Sequence, residues 1–320
     1  MSRNDLTRRA WTRAALAGGA MALAGGAAAA EMPKRRLGRT SLEASLLGIG
    51  TAPLGAPEVT QQEVDRVLGA ALDEGVNYLD TAPIYRQAER RLGPALRGRR
   101  DRFVLVTKVE ATSRQDAEWQ VQESLEKLQT DYLDLVHLHN VGRTDRFPDL
   151  DVLLGPDGAL EALVQLKEKG VVRHIGMTSH LRPKRAFRVL ETGKIEAVMC
   201  AANFVDVHTY DFEGTVFEAA REKGLGIVAM KVLGGTEGEG AKLSAPEHYE
   251  RAVRYALGIP GLTTALVGIK SVAELQKAAA TVRAYRPFDE GERQQLTELG
   301  REMAADWGEL RGPVAYSAES

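Results

Sequence analysis

Eight short apolar runs punctuate the chain, each followed by a turn and then by an amphipathic stretch. They are SLLGIGT at 45–51, NYLDTA at 77–82, FVLVTK at 103–108, YLDLVHLH at 132–139, VRHIGMTS at 172–179, AVMCAANF at 197–204, GIVAMKV at 226–232 and TTALVGI at 263–269. The runs are nearly continuous in apolar residues, as strands buried on both faces are. Helical periodicity fills the gaps, for example at 63–75, 116–129, 159–170 and 216–224. Gly75, Gly170, Gly193 and Gly224 stand where helices would end and suit left-handed caps.

Strands alternating with helices predict a parallel sheet. Eight units between residues 45 and 285 match the ~250 residues typical of a (β/α)8 barrel. The rival is a doubly wound open sheet with a glycine fingerprint after its first strand. Here that stretch reads Gly48-Ile49-Gly50-Thr51-Ala52-Pro53 and lacks the third glycine. The expected fold is therefore α/β, a (β/α)8 TIM barrel spanning residues 31–320. Residues 32–45, turning at Gly38-Arg39-Thr40, are expected to form a hairpin that closes the barrel bottom. Residues 290–304 are expected to add one C-terminal helix, and the tail beyond them carries no clear pattern.

Residues 1–30 follow a different rule. Arg3, Arg8, Arg9 and Arg13 open a weakly apolar Ala/Gly/Leu stretch that ends in Ala28-Ala29-Ala30 before Glu31. This is the layout of a removable secretory signal, too rich in glycine for a membrane span. The pair Arg8-Arg9, with Thr7 before it and Trp11 after, resembles a bacterial twin-arginine signal, which implies export in the folded state to the periplasm or beyond. An ordinary signal or a basic tail is the alternative.

Composition narrows the field. With 44% hydrophobic residues and a net charge of −2, the chain has a globular makeup and no basic excess for a nucleic-acid partner. The single Cys200 excludes an intrachain disulfide, a cysteine zinc site and an iron–sulfur cluster, and its apolar setting suggests a buried structural thiol. No metal site, no nucleic acid and no stable membrane insertion are expected, and the chain should be a monomer or a weak oligomer.

Chemistry in such barrels gathers at the C-terminal ends of the strands. There the sequence places Asp80 and, just beyond, Tyr85, then Lys108, then His137 and His139. A phenol ordinarily titrates near ~10; a neighbouring ammonium favours the phenolate, a carboxylate orients the ammonium, and an imidazole can hold a substrate oxygen. Together these form a general acid with its tuning partners. Singly, each has a plainer reading: a helix cap, a loop aromatic, a solvated lysine, a core histidine.

The stretches RRLGRTSLEASLLGIGTAPLG, GVNYLDTAPIYRQAERRLG, FVLVTK, DYLDLVHLH and GVVRHIGMTS together resemble the aldo-keto reductases over residues 34–285. Asp-Thr-Ala-x-x-Tyr, followed by Glu89 and Leu92-Gly93, is the most specific of these motifs. The resemblance implies an NAD(P)H-dependent carbonyl reductase with a tetrad of Asp80, Tyr85, Lys108 and His139. His139 is preferred over His137 because it ends the strand. Hydride would pass between nicotinamide C4 and a small carbonyl or alcohol substrate, with Tyr85 as proton donor, Lys108 held by Asp80, and His139 orienting the oxygen.

By the same resemblance, the cofactor would meet Gly50, Thr51 and Asp80 at the first two strand ends, Thr178 and Ser179 after the fifth, and Asn203 after the sixth. The family's usual glutamine falls on Met199. Lys231, Leu233 and Gly235 would cover the pyrophosphate, and Gly268 and Lys270 would follow the eighth strand. Relatives clasp the adenosine 2′-phosphate there with a lysine and an arginine; Glu274 takes the arginine's place. NADP remains the favoured cofactor, with NAD as the alternative. The pocket rim would draw on Arg86-Gln87, the 140–158 segment, 208–212 and 305–320, and the 140–158 segment would be either a lid or a solvated loop. A cofactor-binding regulatory barrel without catalysis, or a metal hydrolase built on His137 and His139, are the competing functions.

Overall fold

The computed structural model describes residues 31–235 and 242–307. The expected signal at 1–30 and the end of the tail, 308–320, lie outside the described residues. A two-stranded antiparallel hairpin comes first, β1 (Lys34–Arg36) with β2 (Glu43–Ser45). Eight parallel strands then close into a barrel: β3 (Leu47–Gly50), β4 (Tyr78–Asp80), β5 (Val104–Val109), β6 (Leu133–Leu138), β7 (Val172–Ser179), β8 (Ala197–Ala201), β9 (Gly226–Met230) and β10 (Leu262–Gly268). Closure comes from β10, which pairs with β9 on one side and β3 on the other.

Ten α-helices occur among the described residues: α1 (Gln61–Asp73), α2 (Ala88–Leu96), α3 (Arg114–Leu128), α4 (Leu150–Leu154), α5 (Ala159–Glu168), α6 (Pro183–Glu191), α7 (Glu218–Glu222), α8 (Pro246–Leu257), α9 (Val272–Arg283) and α10 (Glu290–Ala304). Local chemistry sets their starts. Thr60, Ser113 and Ser271 each accept the backbone N–H of the third helical residue, and Asp289 with Glu292 completes a reciprocal capping box. Gly75, Gly170, Gly193 and Gly224 all hold positive φ after their helices, as expected. The anticipated helix at 216–224 begins earlier, as a π-helical turn at Glu213–Phe217 that runs into α7. None of the helices among the described residues is long and apolar enough to cross a membrane.

The core among the described residues has three parts, the smallest of them Phe204, Val205, Leu243, Ala252, Leu296 and Trp307. The largest fills the space between strands and helices; another fills the barrel itself, with Leu37, Tyr78, Val106, Leu135, Met199 and Val228 among its members. Leu37 belongs to the hairpin, which stoppers the N-terminal end of the barrel. Arg39 N donates to Gly224 O at 2.8 Å, and a Cβ at Gly38 would stand 2.2 Å from Gly226 N, so only glycine fits there. Cys200 is fully buried and its thiol is pushed up by that burial, as a structural residue's would be.

The 140–158 segment is anchored at buried positions while others, such as Arg143 to Asp145 and Pro148-Asp149, are exposed. Val141, Phe147, Leu150 and Leu153 are buried in the main core, the last two of them on α4. Arg185 Nε donates to Val141 O at 3.0 Å, Arg182 Nη1 to Gly142 O at 3.0 Å, and Arg185 Nη2 to Phe147 O. These bonds tie the segment to α6 and to Arg182 just ahead of it.

Candidate active site

Strand register brings the expected group together. Gly50 pairs with Asp80 and Lys108 with His137, so the ends of β3 to β6 stand side by side. Thr51, through both its amide and its hydroxyl, donates to Asp80 O at 2.9 Å and fastens β3 to β4. Outside the barrel, Glu89 on α2 accepts from Thr107 Oγ1 at 2.7 Å and from Ser124 Oγ on α3 at 2.9 Å. That buried carboxyl, pushed up by burial, ties two helices to the strand that carries Lys108. A Cβ at Gly93 would meet Lys127 O at 2.4 Å, so the α2–α3 approach needs glycine. The Glu89…Leu92-Gly93 pattern is thus explained by packing.

At the centre, Lys108 Nζ donates to Asp80 Oδ1 at 2.8 Å, to Asp80 Oδ2 at 2.7 Å and to Thr81 O at 2.6 Å. The pair is 1–2% exposed. Burial works against the ammonium, but Asp80 and Tyr85 more than offset it, and the Lys108 pKa stands above its ordinary value. The ammonium lies 4.8 Å from the centroid of the Tyr85 ring. His139 meets that ring edge-on, centroids 6.4 Å apart at 87°.

The tuning of Tyr85 departs from expectation. Burial raises its pKa, Lys108 lowers it, and Asp80 and Glu110 raise it again, so the net direction is upward. Tyr85 at neutral pH is therefore a phenol with its proton in place, held by a cation that limits rather than reverses the shift.

The two histidines occupy different surroundings. His137 is fully buried inside the barrel with neither ring nitrogen partnered among the described residues, and burial, then Lys108, hold its pKa well below the ordinary value. Gly176 makes room for it, since a Cβ there would lie 2.4 Å from His137 Nδ1. His139 sits at the mouth beside Tyr85, and burial with the cations Lys108, Arg146, Arg143 and Lys231 keeps it neutral. Its Nδ1 lies 2.7 Å from Glu110 Oε1, and Arg146 pairs with that same oxygen. Glu110 was not singled out in the sequence, yet it is two residues past Lys108, so the period of a strand puts both on one face. Among the described residues, no three His, Cys, Asp or Glu side chains gather as a metal site.

Several expected cofactor contacts need correction. Asn203 is fully buried: its amide nitrogen donates to Asp206 Oδ2 at 2.7 Å and Lys231 O at 3.0 Å, and its oxygen accepts from Val205 N and Asp206 N. Asp206 in turn accepts from Trp307 Nε1 at 2.8 Å, so Asn203 ties the loop after β8 to the stretch just past α10 instead of facing the mouth. Thr178 Oγ1 accepts from Asn140 N at 2.7 Å and Ser179 Oγ donates to Leu181 O at 2.7 Å. Both hydroxyls, like that of Thr51, are sealed in the protein. Gly50, Lys231, Leu233, Gly235, Gly268 and Lys270 remain accessible around the mouth. Lys231, Gly234 and Gly235 all adopt positive φ, giving a sharply turned strand-to-loop exit from β9.

Fold and site together define a barrel with a proton-handling group at its one open end. The model of the aldo/keto reductase family matches residues 46–248. L-galactose dehydrogenase of Arabidopsis thaliana is 26% identical over 290 residues, covering 78% of this chain and 87% of that protein. An uncharacterized oxidoreductase of Bacillus subtilis, YqkF, is 31% identical over 189 residues, covering 55% of this chain and 58% of that protein. The chain thus spans little more than half the length of that second relative. The holo form of an aldo-keto reductase from Bacillus halodurans superposes with a TM-score of 0.69 at 29% identity, covering 84% of this chain and 96% of that one. The chain belongs to the aldo/keto reductase family.

Proposed function

We propose that the protein transfers hydride between NAD(P)H and a small aldehyde or ketone, or the corresponding alcohol, with Tyr85 exchanging the proton. The observation that carries this reading is the sealed Asp80–Lys108 pair directly beneath the Tyr85 ring, with His139 against its edge. Tyr85 holds its proton at neutral pH and can give it to a developing alkoxide. Lys108 steadies the phenolate left behind, and Asp80 keeps the ammonium charged and aimed. His139 fixes the substrate oxygen.

A dinucleotide fits the open residues. Gly50 and Gly268 are register partners at the ends of β3 and β10, so the rim between them carries no side chain. Next to that notch begins α9, whose first-turn N–H groups and positive dipole end suit phosphate. Lys231, Leu233 and Gly235 on one side, and Gly268 and Lys270 on the other, would hold the cofactor, which when bound supplies or takes the hydride. NADP is the favoured form because Lys270 stands exposed at this helix start.

The test is Tyr85→Phe, which keeps the ring and removes the proton. Turnover of a reactive aldehyde should fall by roughly 100- to 10,000-fold while cofactor affinity, read by fluorescence titration, holds. Near-normal turnover in a folded variant would exclude Tyr85 as the acid. We infer further that Arg8-Arg9 directs folded export to the periplasm, on the strength of the signal layout in residues 1–30.

A further inference from the structure

Tyr85 lies on no strand or helix. It sits in the loop between β4 and α2, and the next residue, Arg86, holds a positive φ. The aim of its phenol therefore depends on what backs the loop. On one side stands a short 3₁₀ turn, Ala52–Gly55. A Cβ at Gly55 would lie 1.9 Å from Tyr85 O and 3.0 Å from Ala88 N, so turn and loop meet backbone to backbone. Gln87 N donates to Gly55 O at 3.4 Å across the same seam. The start of the turn is fastened by Thr51, which donates to Asp80 O and accepts at its own carbonyl from Leu54 N at 2.9 Å.

The end of the turn is held by Arg91 of α2. Nη1 of this half-buried residue donates to Leu54 O at 2.6 Å and to Ala56 O at 2.7 Å. No carboxylate among the described residues pairs with it, so its charge strengthens two bonds to backbone carbonyls. Glu89 and Arg91 are two residues apart on one helix, about 200° around its axis, and so grip opposite sides. Glu89 holds β5 through Thr107, the neighbour of Lys108. Arg91 holds the turn that backs Tyr85. One helix thus sets where the phenol stands relative to the ammonium, 4.8 Å from the ring centroid.

We propose that Arg91 is a positioning residue for Tyr85: it clamps the Ala52–Gly55 turn against the loop and so holds the phenol at Lys108. This rests on the hydride-transfer reading given above, in which Tyr85 exchanges the proton. Without the clamp, Leu54 O and Ala56 O lose their donor, the turn backs away and the phenol takes a spread of positions. A proton donor must stand within hydrogen-bond reach of the oxygen it serves, and a misplacement of about 1 Å costs on the order of 100-fold in rate.

Two measurements test it on the full-length chain, with circular dichroism to confirm folding. In reduction of 4-nitrobenzaldehyde by saturating NADPH, Arg91→Met should lower kcat by about 10- to 100-fold. Arg91→Lys, which keeps a donor for both carbonyls, should recover most of that loss. In a Tyr85→Phe background, followed at high enzyme concentration, Arg91→Met should cost no more than about 2-fold, because the group it positions is gone. An equal loss in both backgrounds would leave Arg91 a merely structural part and overturn the proposal. In protein labelled with 13C at tyrosine Cζ, the Tyr85 resonance, assigned by its loss in Tyr85→Phe, should shift or broaden in Arg91→Met. Gly55→Ala should move it too, since the new methyl presses on Tyr85 O. The resonance of Tyr132, held between Arg100 and Arg173 ahead of β6, should stay. A Tyr85 resonance indifferent to both variants overturns the proposal. Near-native turnover in Tyr85→Phe, or none with the aldehyde in any form of the enzyme, would count against the hydride-transfer reading alone, since the 13C arm needs no turnover.

Discussion

His137 lies on β6 and His139 just past its end, and in the proposed mechanism the outer one meets the substrate. His137 is an imidazole buried in the barrel with no ring-nitrogen partner among the described residues, and burial holds its folded pKa well below its ordinary value of 6.5. The sign follows: the unfolded chain binds the extra proton first, so stability is full above 6.5 and is lost as pH falls below it. The loss is at most about 1.4 kcal/mol per pH unit for this one group. His137→Leu removes the titrating group and leaves no polar atom unsatisfied. Its urea midpoint should match or exceed the native one at neutral pH and clearly exceed it near about pH 5, with turnover largely kept. His139→Leu should lose turnover instead. Equal acid sensitivity in His137→Leu and the native chain would place the labile proton elsewhere.

Elements built on a regular period were legible before the structure; those held by distant partners were not. The strand runs, the glycine-ended helices and the final helix at 290–304 each announce themselves through local spacing and caps. The polar ends of β4, β5 and β6 were legible for the same reason, because position on a strand fixes which end a residue serves. The anchoring of 140–158 was not, since it depends on Arg185 of α6 and Arg182 just before it. Asn203 misled because its partners, Asp206, Lys231 and through Asp206 Trp307, converge from three parts of the chain. The start of α9 carries the next prediction. Glu274 folds back to accept from Lys270 N at 2.8 Å and so puts a carboxylate at the helix end that suits phosphate. A 2′-phosphate would meet like charge there. Glu274→Arg should therefore tighten NADPH relative to NADH, by about 10-fold for one charge-assisted contact, in paired fluorescence titrations. An unchanged ratio would mean that the 2′-phosphate lies away from this turn.

For the molecule as a whole, the hairpin and the barrel mouth sit at opposite ends of one axis. Folding and cofactor loading in the cytoplasm would have to precede passage through a twin-arginine pore. Replacing Arg8 and Arg9 together by lysine should then leave the enzyme in the cytoplasm, measured by fractionation against a periplasmic marker. Continued export would remove the twin-arginine reading and keep a general signal open. The stopper also has a practical side. Because Gly38 and Leu37 seal the floor against β9, the chain enters the barrel at β1 on the closed side, away from Tyr85 and Lys108. A resin, electrode or partner enzyme coupled just ahead of Glu31 would join the barrel at its floor and leave the catalytic opening directed outward, so the fold comes with a built-in handle for oriented immobilisation.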